Sequence, residues 1–352
     1  GHRRARCDHR PGLERRFHGG RNFQLTSIQS LQGADLQMTE KFSFDAAFMH
    51  FLKTKGPKGF MWKFILTYSI VITIVIGAFY TPMIMGFATM FSELIQSGGN
   101  TEPDVEQMIP LLITMVIALP IFLVVYLFVY SMFEAAALRR YLFEDGFRLK
   151  LGADEFRIMG VLLLWAALFF AMYIIVAIVM FAVMMPIIMS GGDPESLTPY
   201  MGLVNVLQLV IYAPLLFFGV RLSPASAITM RDKKITFLSA WSVTRGKFWP
   251  ILGAFLVVYL IVYAIQIVGM IIGLVPMIGG IMSVAMAAGP TEDPAAILAI
   301  FTNPLVIFGL IAMVFVYMIS AAFAHFAFLG ITSKVARTDP NWTNPSTVDT
   351  FD

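Results

Sequence analysis

The chain has 352 residues, 58% of them hydrophobic and 13% charged, with a formal net charge of +3 and a mean hydropathy of +0.77. A soluble domain of this size is usually about 45–50% apolar and about 25% charged, so the composition excludes an ordinary soluble fold and points to an integral membrane protein. Cys7 is the single cysteine, which excludes an intramolecular disulfide and a cysteine metal cluster.

Residues 1–37 differ from the rest, with seven arginines (Arg3, Arg4, Arg6, Arg10, Arg15, Arg16, Arg21) and few apolar residues. Met38 begins a stretch that reads as a natural start, so this leader is expected to be a translated upstream region. The competing expectation is a disordered basic arm for anionic lipid or nucleic acid. It contains no apolar core followed by small residues, as a secretory signal would.

Residues 38–63 are predicted to be a cytoplasmic amphipathic segment. Apolar residues at 44, 47, 48, 51 and 52 share one helical face, with His50, Lys53 and Lys55 mostly elsewhere. Gly56, Pro57 and Gly59 then stop the helix. Its apolar face suits either the lipid boundary or the protein's own cytoplasmic surface.

Six apolar runs follow, at about 64–91, 109–133, 158–189, 201–220, from 251, and 304–331. Each meets the roughly 20 residues needed to cross a bilayer core. Run five is interrupted by Gly273, Pro276, Gly279 and Gly280, so residues 277–288 are expected to be an outer-surface or re-entrant piece. The fold class is therefore all-α: a polytopic membrane protein with six transmembrane helices in a domain spanning 64–332. A polar, disordered cytoplasmic tail is expected over 333–352.

Orientation follows from Lys/Arg bias, because short cytoplasmic loops collect these residues. Lys41, Lys53, Lys55, Lys58 and Lys63 precede the first span. Arg139, Arg140, Arg148, Lys150 and Arg157 lie between spans two and three. Arg221, Arg231, Lys233, Lys234, Arg245 and Lys247 lie between spans four and five, and Lys334 and Arg337 follow span six. With the seven in the leader these are all 25. The other three loops carry only acids, among them Glu93, Asp104, Asp193 and Glu292. Both termini are expected on the cytoplasmic side of an inner (plasma) membrane.

Residues 233–249 form a basic, aromatic-rich connector, read as a short amphipathic helix ending at Gly246 before Lys247, Phe248 and Trp249 lead into span five. Placing Thr54-Lys55-Gly56 over Thr244-Arg245-Gly246 aligns Phe48 with Leu238 and Phe51 with Trp241. A poorer copy places Phe147 and Lys150-Leu151-Gly152 in the same slots. The implied unit is an interfacial helix plus a two-span hairpin, repeated three times in parallel, with chance likeness among apolar segments as the competing explanation. The run Ala240-Trp241-Ser242-Val243-Thr244-Arg245-Gly246-Lys247-Phe248-Trp249 resembles a motif of six-span bacterial inner-membrane domains. These occur alone or fused to glycerophosphodiester phosphodiesterases. The resemblance implies a membrane module without the catalytic domain, and carries over no catalytic residues.

Chemistry is sparse. No GxSxG, Walker A or HExxH sequence is present, and no catalytic, cofactor or metal residues are expected. Glu144-Asp145 and Asp154-Glu155 read as solvated charges or helix caps. Ionisable groups at membrane depth usually mark a function, because burying them in lipid is costly. Glu134 is placed at the cytoplasmic end of span two and Arg221 in the same layer at the end of span four. His325 is the one titrating group expected at depth, and a hydrogen bond to a neighbouring helix is its plainest role. Asn205, Gln208 and Gln266 suit interhelical hydrogen bonds, and Gly269 to Gly273 has small-xxx-small spacing for close helix contact.

The expected function is that of a non-enzymatic membrane protein. Its basic face would engage membrane lipid or a protein partner, not nucleic acid, through Lys233, Lys234, Trp241, Arg245, Lys247 and Trp249. The alternative is a small-molecule or lipid transporter, drawing on His325 and on prolines within the spans, such as Pro82 and Pro276. A membrane-embedded enzyme is a third alternative, with no residue in its favour.

Overall fold

The computed structural model describes residues 42–54, 57–96, 105–189, 202, 212–288 and 299–339. The leader, Asn205, Gln208, the central parts of the three acidic loops and the residues from 340 lie outside these. Every regular element among the described residues is helical. Six helices are long and apolar enough to cross a membrane, as the apolar runs predict.

Two short helices come first among the described residues, α1 (Phe44–Phe48) and α2 (His50–Lys53). The first three spans lie in α3 (Phe60–Gln96), α4 (Val105–Phe143) and α5 (Ala153–Met189). The fourth span, Tyr212–Asp232, breaks at Ser223–Pro224 and resumes as α6 (Ala225–Asp232). Connector helix α7 (Ser239–Val243) leads to α8 (Phe248–Ala288), and α9 (Pro304–Arg337) is last among the described residues. Side chains close exposed helix starts: Ser43 accepts the Ala46 amide, and Asn303 accepts that of Leu305 beside Pro304 at the first helical position.

Helix α9 is the hub. It lies along α8 and also touches α1, α2, α3, α4 and α6. The buried core gathers where the basic residues lie: Ala135 to Tyr141 of α4, Ala225 to Met230 of α6 and Phe326 to Ala336 of α9 are almost wholly enclosed. Toward the opposite end the helices expose large apolar side chains, among them Val116, Phe170 and Met286. Such a belt would be a liability in water and is natural in a lipid solvent, because each helix satisfies its own backbone hydrogen bonds.

The basic end is held by specific pairs. Arg139 and Glu155, both buried, form an ion pair at 2.5 Å, and Arg139 also donates to the Arg148 carbonyl at 3.0 Å. Arg140 reaches the carbonyls of Thr54 and Pro57, and Arg337 that of Leu142. Arg231 bridges to Asp339 at 2.7 Å. Asp154 and Glu155 are therefore not solvated charges. Asp154 holds Arg157 and Lys233, and Glu155 neutralises a buried guanidinium. Glu144 and Asp145 are exposed, as expected.

Three further expectations change. Helix α8 does not break near Gly273 but continues to Ala288 through Pro276. Its glycines serve packing, not termination: at Gly273 an added Cβ would lie 2.7 Å from the Gly309 carbonyl oxygen and overlap Met313. The tail becomes irregular later than residue 333, because Ser333, Val335 and Ala336 are buried in the last turns of α9. Finally, short helices precede the first and fifth spans, but 144–152 has no helix before the third. Phe147 still fills an aromatic slot there, edge-on to Phe60 and Phe64.

The middle of the first segment's apolar face meets the protein, while Phe44 and Leu52 of the same face stay exposed. Ala47 and Phe51 are buried, and Phe51 meets Phe323 edge-on at 5.8 Å between ring centres. Docking also encloses His50, whose Nε2 is buried without a hydrogen-bond partner. Burial, aided by the charges of Arg337 and Lys334, lowers its pKa from 6.5 to about 3. The folded state thus resists protonation that the unfolded chain accepts. His50 contributes stability fully present above pH 6.5 and lost as pH falls from there toward about 3, on the order of 1 kcal/mol per pH unit. Melting of the detergent-solubilised protein should therefore drop between pH 7.5 and 5.5, and His50→Gln should flatten that part of the profile. An identical slope in both proteins would assign the loss elsewhere.

Candidate functional site

The connector is a short amphipathic turn laid on the end of span four. Ala240, Val243 and Thr244 face inward, while Leu238, Trp241, Ser242 and Arg245 face out. The Thr244 hydroxyl lies 3.0 Å from the Arg221 carbonyl and 2.9 Å from that of Ala240, tying the turn to span four. Gly246 takes φ +76°, a left-handed conformation that reverses the chain into α8 at low steric cost. Arg221 lies among the rings of Trp241, Phe217 and Phe248, at 5.3, 5.6 and 6.0 Å from their centres. Its Nε and Nη1 are buried with no hydrogen-bond partner, so ring faces supply its near surroundings.

The six connector residues singled out from the sequence divide into two groups. Lys233 is bound to Asp154 at 2.9 Å. Lys247 donates to the Thr338 hydroxyl at 3.0 Å, and burial lowers its ammonium pKa against the opposing pull of Asp339. Lys247 is half-buried in the fold, whereas Lys233 is exposed and makes its ion pair at the surface. Lys234 and Arg245 are exposed, as are Trp241 and Trp249, the latter 75%. Ile235 and Leu238 extend the exposed apolar surface beside them.

The polar residues within the candidate spans are placed as follows. Gln266 donates to Ser320 at 3.3 Å, bridging α8 and α9 as expected of an interhelical polar pair. His325 shares a 2.8 Å hydrogen bond between Nδ1 and the Tyr130 hydroxyl of α4, while its Nε2 is buried without a partner. Phe64 and Tyr68 of α3 stack on the imidazole. Glu134 is enclosed by protein. Helix α4 continues to Phe143, and Glu134 is 4% exposed, with Ser226 as its hydrogen-bonding neighbour. The apolar run ends at this charge, but the helix does not, because Glu134, Arg139 and Arg140 each find a partner inside the protein.

Glu134, His325 and Tyr130 meet at a cavity of about 940 Å³. Five spans each supply one helical face to its wall. Tyr126, Tyr130 and Glu134 come from α4, with Leu162, Trp165 and Phe169 from α5. Leu252, Phe255 and Tyr259 come from α8, with His325, Phe328 and Thr332 from α9. Span four adds Leu216, Gly219 and Ser223, with Ser226 beside Glu134. Sequence reasoning singled out none of Tyr130, Trp165, Phe255 and Ser226. Their three- and four-residue spacing marks a shared face on each helix but not what that face meets.

No family model, curated protein or solved structure matches this chain.

Proposed function

We propose that this chain is a non-enzymatic, multi-pass protein of a bacterial inner membrane, with both termini cytoplasmic, whose basic end engages anionic lipid through the 233–249 connector. It would stand with the six-span inner-membrane domains whose connector motif it resembles. The observation that carries the reading is the side-by-side exposure of Lys234 and Arg245 with Leu238, Trp241 and Trp249. Indole rings favour the membrane–water boundary, and each cation near an anionic leaflet contributes about 1 kcal/mol. Only these two connector cations are counted, since Lys233 and Lys247 have protein partners.

The test uses the full chain in detergent, titrated with short-chain phosphatidylglycerol or phosphatidylcholine and followed by tryptophan fluorescence. Two cations imply a preference for the anionic lipid of about thirtyfold, which Lys234→Ala with Arg245→Ala should remove. Equal affinity of the native chain for both lipids would end this reading and favour a protein partner for the same surface.

A second reading, a carrier for a small molecule or lipid, draws on the cavity. An apolar chamber with a few convergent polar groups is the usual form of a ligand site.

A further inference from the structure

We propose that the cavity between spans two to six binds lipophilic cations: an ammonium or phosphonium centre carried on an apolar body. This rests on the second reading above and names the ligand class for that site.

Three observations converge on it. The first is size: about 940 Å³ lies within the range of chambers that enclose a drug-sized molecule. The second is charge. Among the described residues, Glu134 is the one acidic residue lining the cavity, and no lysine or arginine lines it. The nearby Arg139 is already neutralised by Glu155 and also bound to the Arg148 carbonyl. Ser226 is the hydrogen-bonding neighbour of Glu134, whereas an ionised carboxylate can accept about four hydrogen bonds. A buried carboxylate so placed is poorly compensated by the protein alone, and a ligand cation would complete it.

The third observation is the wall. Tyr130, Trp165, Phe169, Phe255, Tyr259 and Phe328 surround the space, and their ring faces attract cations, more strongly where water is excluded. The same faces and Glu134 disfavour an anion. Neutral molecules gain the apolar contact without the charge pairing. Entry from the lipid phase suits such a ligand, since Phe169, Leu216, Leu256 and Tyr259 line the cavity yet remain exposed.

Tetraphenylphosphonium and tetraphenylborate, nearly equal in shape and opposite in sign, separate charge from bulk. Calorimetric titration of the purified full chain in detergent should show saturable phosphonium binding at least about tenfold tighter than borate binding. Glu134→Gln should lower phosphonium affinity by at least about tenfold and leave borate unaffected or improved. Should Glu134→Gln fail to fold, judged by melting and elution volume, Tyr259→Leu at the exposed mouth keeps the test open. It should weaken phosphonium binding by about three- to tenfold with Glu134 intact. Phosphonium binding unchanged in a folded Glu134→Gln protein overturns the proposal. Equal binding of the two probes, both weakened by Tyr259→Leu, overturns the cationic class while the carrier reading stands. If neither probe saturates, both fall.

Discussion

Glu155→Ala should destabilise the detergent-solubilised protein by about 3–5 kcal/mol, the largest loss expected from truncating any single side chain at the basic end. Glu155 and Arg139 are 1% and 5% exposed and 2.5 Å apart, and they join the starts and ends of successive helices, α5 and α4. Removing the carboxylate leaves a guanidinium enclosed by protein with the Arg148 carbonyl as its remaining hydrogen-bond acceptor. The cost is mainly that stranded charge, not the worth of the pair itself. Replacing both residues, as Arg139→Met with Glu155→Leu, should therefore recover most of the loss. Equilibrium unfolding of the two variants beside the native chain checks this. A single variant as stable as the native protein would mean that Arg139 finds water or another acceptor.

This pair also shows what can be read along one dimension. The six spans follow from local properties, run length and hydropathy, so they are legible residue by residue. So is the crowding of cations at one end. Pairing across the bundle is not: Arg139 and Glu155 are 16 positions apart, and Lys233 finds Asp154 across 79. A charge that reads as the end of a span can instead lie inside a helix, as Glu134 does, because the deciding quantity is the partner and not the residue. His325 was marked by its depth alone, but its role needed Tyr130, 195 positions away. The cavity escaped for the same reason, since five unremarkable helical faces become a wall only when they converge. The connector was the most legible functional element, because its helix, turn and exposed aromatics lie within one short stretch. Even there, sequence could not show that Lys233 and Lys247 have protein partners.

Glycine spacing carried the same ambiguity, and substitution at Gly309 is the sharpest probe of how it resolves. Gly309→Leu should force α8 and α9 apart. At Gly309 the first added carbon would overlap the Gly273 carbonyl oxygen and lie 3.1 Å from Met277 Cβ. Gly273 faces Gly309 in the same way. The obstacle is main chain, which cannot rotate aside as a side chain would. Overpacking of this kind costs about 1–3 kcal/mol, and a rigid backbone opposite places Gly309→Leu at the upper end. The shift should also disturb the Gln266–Ser320 hydrogen bond farther along the same helix pair. Gly279→Leu is the matched control, because nothing lies within 4 Å of a Cβ placed there on the same helix as Gly273. Thermal melts should show a marked loss for Gly309→Leu and a near-native midpoint for Gly279→Leu. Equal midpoints would mean that the close approach of α8 and α9 adds little to stability, and that the glycines of α8 are retained for backbone flexibility instead.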